Sequence, residues 1–301
     1  MQTLIEDKQN ANRRGLVISY FGNSVSVEAD DGQVFPCHLR RNQPLPVVGD
    51  HIIWQMGADN TGVVIKIEPR KSVLARGVMH GKAKPMAANV DLMVIVMAPP
   101  PIFSEHLVDR YLVAAELLNI QPILLINKSD LLDEAALAAV QRRLDRYRKI
   151  DYPVLLTSVR KDEGIATLTD SFKGKLSVLV GPSGVGKSSL ISRLVDEAIR
   201  VREVSPRGTG KHTTTATKLY HLPSGGYVVD SPGLRDFSLW TITRAEVLQG
   251  FKEFKPYLTG CRFRDCQHLV EPGCALLSAV QDGKIDPERF ANYLVLIKEA
   301  K

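Results

Sequence analysis

No run of apolar residues in this 301-residue chain approaches the ~18 that a membrane-spanning helix requires. Residues 1–15 are polar and charged and lack the apolar core of a secretory signal. Together these absences lead us to expect a cytoplasmic protein with no membrane partner. Cysteine is scarce, at four positions, and three of them crowd around one histidine near the C-terminal end. In a cytoplasmic chain that pattern reads as metal ligands before it reads as disulfides. Charge of one sign does not dominate either. The net charge is +6, and most of the excess lies in residues 73–240, which carry 22 basic and 17 acidic side chains. That balance permits a nucleic-acid partner without requiring one. The remaining composition, 44% hydrophobic and 24% charged, is that of a globular protein long enough for two or three domains.

Three segments follow from the patterning. Residues 1–72 hold about five short β-rich runs, near 15–20, 24–28, 34–39, 50–54 and 62–68, separated by turn signals. This pattern predicts a small closed barrel of the OB type. Cys37 falls in one of these strands and reads as a buried filler. A loop rich in glycine and basic residues is expected at 76–88. From 73 to 240, apolar runs alternate with amphipathic helices, the signature of a doubly wound α/β core. The expected strands are at 92–97, 122–126, 154–157, 176–180 and 227–229, with helices at 104–118 and 133–149. Residues 241–301 read as helical, with a short metal-binding interruption. Thr243 and Glu246 form a capping box there, and Asp286-Pro287 opens a last helix.

The most informative string is Gly181-Pro182-Ser183-Gly184-Val185-Gly186-Lys187-Ser188, followed by Ser189. It lies after an apolar strand and opens a helix, as a phosphate-binding P-loop does. Its glycines let backbone N–H groups face phosphate oxygens, Lys187 reaches the β- and γ-phosphates, and Ser188 ligates Mg²⁺. Asp230-Ser231-Pro232-Gly233 closes a later strand, where Asp230 can hold Mg²⁺ through water and Gly233 can donate to the γ-phosphate. Upstream lies Asn127-Lys128-Ser129-Asp130, an element that reads guanine. The Asp130 carboxylate can accept from guanine N1–H and the 2-amino group, which adenine lacks in that arrangement. The stem of Lys128 can cover the base, and Asn127 can tie this loop to the P-loop. Thr157-Ser158-Val159, after the next strand, is a candidate string for a backbone N–H to the guanine carbonyl, with Ser158 the residue expected to supply it. Ordinary GTPases place the P-loop before this element; here the order is reversed, so the domain reads as circularly permuted.

Residues 208–215, Gly-Thr-Gly-Lys-His-Thr-Thr-Thr, occupy the place of a switch loop. Thr214, with Thr213 next, is the expected Mg²⁺ and γ-phosphate contact. The residue after Gly233 is Leu234, which cannot orient water as a glutamine there would. His212 is therefore the candidate for that work. Cys261, Cys266, His268 and Cys274 offer three thiolates and one imidazole within fourteen residues, a closed tetrahedral zinc set with a structural role.

A β-barrel, a permuted GTPase and a Cys₃His module in this order resemble the bacterial ribosome small-subunit-dependent GTPases, late assembly factors of that subunit. The resemblance spans nearly the whole chain. It rests on residues 127–130, 181–188, 210–215 and 230–235 and on the zinc ligands. It implies GTP and GDP as ligands with Mg²⁺ and one zinc ion, turnover stimulated by the small ribosomal subunit, and contacts to ribosomal RNA from the barrel and the zinc module. Only Arg13 and Arg14 stand where some relatives carry a long basic extension. A monomer is the default. A P-loop kinase would not need Asn127 or Asp130, and an RNA-binding module with a dead site would not need Lys187, Ser188 and Asp230.

Overall fold

The computed structural model describes residues 11–22, 24–41, 43–57, 59, 61–76, 84–99, 104–195, 217–230 and 242–300. The strands among them are β1 (Arg13–Phe21), β2 (Ser24–Ala29), β3 (Val34–His38), β4 (His51–Met56), β5 (Gly62–Ile67), β6 (Val73–Arg76), β7 (Lys84–Ala88), β8 (Leu92–Met97), β9 (Gln121–Ile126), β10 (Val154–Leu156), β11 (Leu176–Val180), β12 (Lys218–His221) and β13 (Tyr227–Asp230). The helices are α1 (Glu105–Leu117), α2 (Glu134–Arg148), α3 (Ile165–Ser171), α4 (Lys187–Leu194), α5 (Arg244–Gly250), α6 (Ala275–Gln281) and α7 (Pro287–Glu299). The chain clusters into two compact units, one of residues 1–92, 166–179 and 187–237, the other of residues 93–165, 180–186 and 238–301.

In the first unit, β1 to β5 close on themselves. β1 pairs antiparallel with β2 and β4, β2 with β3, β4 with β5, and β3 with β5 in parallel. Alternating burial along β1 and β2 explains the closure, because each strand turns every second side chain inward. Val17, Val25, Val27, Cys37, Ile52, Trp54 and Val64 fill the interior. Cys37 is fully buried, and burial pushes its thiol up to about 12, so it is an inert packing group as expected. The barrel predicted for the N-terminal segment is present.

The expected loop at 76–88 is partly a hairpin. β6 and β7 pair antiparallel, with Val73 opposite Ala88 and Leu74 opposite Ala87. The small apolar residues Ala87 and Ala88 are fully buried, and their burial outweighs the turn-forming composition beside them. β12, which sequence patterning did not single out, pairs with β13 and touches β1 at Ser19↔Lys218. β13 runs parallel to β11 in the register Leu176↔Tyr227 to Val178↔Val229.

The second unit carries β9 and β10 in parallel, Val154↔Leu124 to Leu156↔Ile126. β8 is buried along its whole length and β9 over five of its six residues, as core strands of an α/β sheet should be. Asp133 caps α2 by accepting from the Ala136 N–H at 2.8 Å. Ser104 occupies the N-cap of α1 but makes no side-chain cap bond. The capping box of Thr243 and Glu246 is complete, and Asp286 caps α7 with Pro287 in its first turn. Around these helices Val113, Val247, Phe251, Phe254, Leu276, Phe290, Tyr293 and Leu296 form one core. Val113 belongs to α1, so the C-terminal helices bury a side chain of the α/β region. Arg289 of α7 strengthens that join. Its guanidinium is 1% exposed, meets both Glu253 oxygens at 2.8 and 2.9 Å, and reaches Asp109 of α1 at 2.6 Å.

Candidate nucleotide site and metal centre

β9 ends at Ile126 and delivers Asn127, which is 2% exposed. Its backbone N–H donates to the Met97 carbonyl at 2.8 Å. Its side-chain amide donates to the Val185 carbonyl at 2.9 Å, and its side-chain carbonyl accepts from the Thr157 hydroxyl at 3.2 Å. Lys128 adopts a left-handed backbone, φ 59°, and turns back so that its ammonium donates to the Gly184 carbonyl at 2.7 Å. Two consecutive residues of the guanine-type loop therefore hold two carbonyls of the P-loop. The tie expected of Asn127 is present, and Lys128 supplies a second.

Asp130 sits in a short 3-10 turn, Ser129–Leu131. It accepts from the Ser158 hydroxyl at 2.6 Å. That hydrogen bond is the main reason its carboxyl lies below the usual aspartate range. Ser158 plays a different part from the one expected. Its backbone N–H is engaged by the Glu163 carbonyl at 3.0 Å, so it is not offered outward. Its hydroxyl holds Asp130 and accepts the Lys161 N–H at 3.1 Å. Thr157 and Ser158 thus act behind the two signature residues. The sequence marks this string for a backbone N–H, and a Thr-Ser pair at a strand end gives no sign of the two hydroxyl bonds.

The P-loop bends around a strand and a side chain. Gly181 has φ 136°, and a Cβ there would lie 2.1 Å from the Val96 carbonyl oxygen. Gly186 has φ 96°, and a Cβ there would lie 2.4 Å from the Asn127 side-chain nitrogen. Only glycine meets both demands. Pro182 is half-buried, Ser183 and Gly184 are exposed, and Val185 is buried. Lys187 opens α4 as a buried residue, with Ser188 and Ser189 exposed after it. Backbone amides at a glycine-rich turn entering a helix make an anion site. Asp230 ends β13 and is half-buried. His212, Thr213, Thr214, Gly233 and Leu234 lie outside the described residues.

The four zinc-type ligands converge. Their ligand atoms all lie within 4.8 Å of one another. Cys261 Sγ is 3.4 Å from His268 Nδ1 and 4.0 Å from Cys274 Sγ, and Cys274 Sγ is 3.5 Å from the same nitrogen. A tetrahedral zinc ion sets sulfur–sulfur edges of about 3.8 Å and sulfur–nitrogen edges of about 3.6 Å. The donor set therefore fits zinc in type, number and spacing. When bound, the ion would cross-link the loop and leave no open position for a reaction.

Comparison with known proteins follows the same lines. The RsgA GTPase family profile matches residues 67–240. A relative from Pseudomonas putida, named small ribosomal subunit biogenesis GTPase RsgA, is 47% identical over 94% of this chain and 84% of its own length. One of the same name from Azotobacter vinelandii is 49% identical over 93% and 84%. The crystal structure of YjeQ from Thermotoga maritima is similar with a TM-score of 0.80 and 34% identity, covering 96% of this chain and 98% of that one. YloQ, described as a circularly permuted GTPase, is similar with a TM-score of 0.78 and 31% identity, covering 97% and 96%.

Proposed function

The chain belongs to the RsgA GTPase family, and on that premise we propose how its residues carry out GTP hydrolysis in the maturation of the small ribosomal subunit. The observation that carries the reading is the pair of bonds from Asn127 and Lys128 to the P-loop carbonyls of Val185 and Gly184. They support reading residues 127–130 and 181–186 together, the first for the base and the second for phosphate. Asp130, oriented by Ser158, accepts from guanine N1–H and the 2-amino group. The Val159 N–H, next along from the engaged Ser158 N–H, is the one to meet the guanine carbonyl. The Lys128 stem covers the base.

The amides of residues 181–186 and the Lys187 ammonium hold the β- and γ-phosphates. Ser188 and Asp230 would hold Mg²⁺, which when bound would supply positive charge against the phosphates. Thr214 and Gly233 close over the γ-phosphate in the GTP state, and His212 positions the attacking water that Leu234 cannot. The division of labour follows 1–72, 73–240 and 241–301: a barrel and a zinc-held module that contact ribosomal RNA, flanking the permuted GTPase. The chain acts late in subunit assembly, as a cytoplasmic monomer. No helix among the described residues is long and apolar enough to cross a membrane.

Hydrolysis of GTP and of ATP, each with and without purified small subunits, tests this reading. GTP-selective turnover that rises strongly with the subunit is expected. ATP preference would sink the guanine assignment, and turnover indifferent to the subunit would sink the ribosomal one.

A further inference from the structure

The loop between His268 and Cys274 is organised by one carboxylate. Glu271 accepts the backbone N–H of Gln267 at 3.0 Å on one oxygen, and those of Leu269 at 2.9 Å and Val270 at 3.1 Å on the other. Its own carbonyl accepts the Cys274 N–H at 3.2 Å. Its side chain thus fixes the segment on both sides of His268, and its backbone fixes Cys274. His268 sits between those bonds in a left-handed conformation, φ 59°, which a histidine adopts at a cost unless its surroundings hold it there.

Water could satisfy these amides, since Val270 is 87% exposed and Leu269 37%. Gathering three N–H groups on one carboxylate therefore shapes the loop more than it spares the amides desolvation. Only an acceptor-only group suits three converging donors, because a carboxamide would turn its own N–H₂ toward at least one of them.

We infer that Glu271 is a positioning residue for the zinc centre, presetting the backbone that presents His268 and Cys274 to the metal. The inference rests on the zinc reading of Cys261, Cys266, His268 and Cys274. It predicts that a large part of the ligand geometry is set before metal arrives, and that loss of the carboxylate appears in metal affinity.

Competition between the full-length protein and a chelator, with zinc and then cobalt, tests it in wild type, Glu271→Gln and Glu271→Ala. Both variants should bind zinc about 10- to 100-fold more weakly, with Glu271→Ala the weaker. At saturating cobalt both should still show the absorption of a tetrahedral thiolate site. Unchanged affinity in both variants would overturn the inference while leaving the zinc reading intact, whereas wild type that takes up no zinc would end both. Amide hydrogen exchange in zinc-loaded wild type needs no variant. Slow exchange at Gln267, Leu269 and Val270 despite their exposed position is expected, and exchange at the rate of an open loop would refute the assignment.

Discussion

Asp130 illustrates how far a single residue can be read and where its neighbours take over. Its place in Asn127-Lys128-Ser129-Asp130 is the ground for proposing it as a base reader, because guanine offers two adjacent donors to a carboxylate. What the string does not contain is Ser158, twenty-eight positions on, whose hydroxyl fixes the carboxylate at 2.6 Å. Ser158→Ala should weaken GDP binding about 10-fold, the worth of a hydrogen bond to a charged group, as read by fluorescent-nucleotide titration. The pH dependence has a definite sign. The Ser158 bond lowers the Asp130 pKa, so the ionised, guanine-competent form persists as pH falls below the ordinary aspartate range. Without that bond the pKa rises, and affinity in Ser158→Ala should begin to fall at a higher pH than in wild type. Identical acid limbs would show that Ser158 does not act on Asp130.

At the scale of elements, the turn from β9 into the guanine-type loop and the turn from β11 into the P-loop are joined by side chains. Asn127 is buried and makes three bonds, so Asn127→Ala leaves the Val185 carbonyl and the Thr157 hydroxyl without it. A cost of about 1–3 kcal/mol in stability, seen in denaturant unfolding, should come with weaker binding of both GTP and GDP. An effect on GTP alone would place Asn127 in the switch machinery instead. A second join links α1 to α7 through Arg289. Removing one partner of a buried ion pair strands the others, so Arg289→Ala should destabilise by about 3–5 kcal/mol. A loss below about 1 kcal/mol, the range of a surface pair, would mean that water reaches the cluster. Nothing in local sequence marks this join. Arg289 and Asp109 are 180 positions apart, and each reads alone as an ordinary charge on an amphipathic helix.

On the scale of the whole molecule, legibility followed the nature of the signal. The barrel was readable because period-two alternation and turn residues are local. The P-loop string, the Asn127–Asp130 element and the converging Cys₃His set were readable because such chemistry demands fixed residue types at fixed spacing. β12, the β6–β7 hairpin and the shared core of α1 with the C-terminal helices were not, since they depend on contacts between distant segments. That shared core bears on the zinc module. Val113 of α1 packs with Val247, Phe251 and Phe254, so the C-terminal helices are not energetically separate from the α/β region. Chelating zinc should therefore lower the unfolding temperature of a transition that includes α1, followed by calorimetry with hydrogen exchange. A zinc-independent transition would mean that the helices hold without the metal.

Asp130 is proposed to read the base of the nucleotide whose phosphates lie on the P-loop. The most direct test is kcat/KM for GTP and for xanthosine triphosphate in wild type and Asp130→Asn. Xanthine carries a carbonyl where guanine has its 2-amino group, so an asparagine amide can donate where the aspartate accepted. Wild type should prefer GTP, and the variant should reverse the preference. A variant that still prefers GTP would contradict it, because the base would then be read elsewhere.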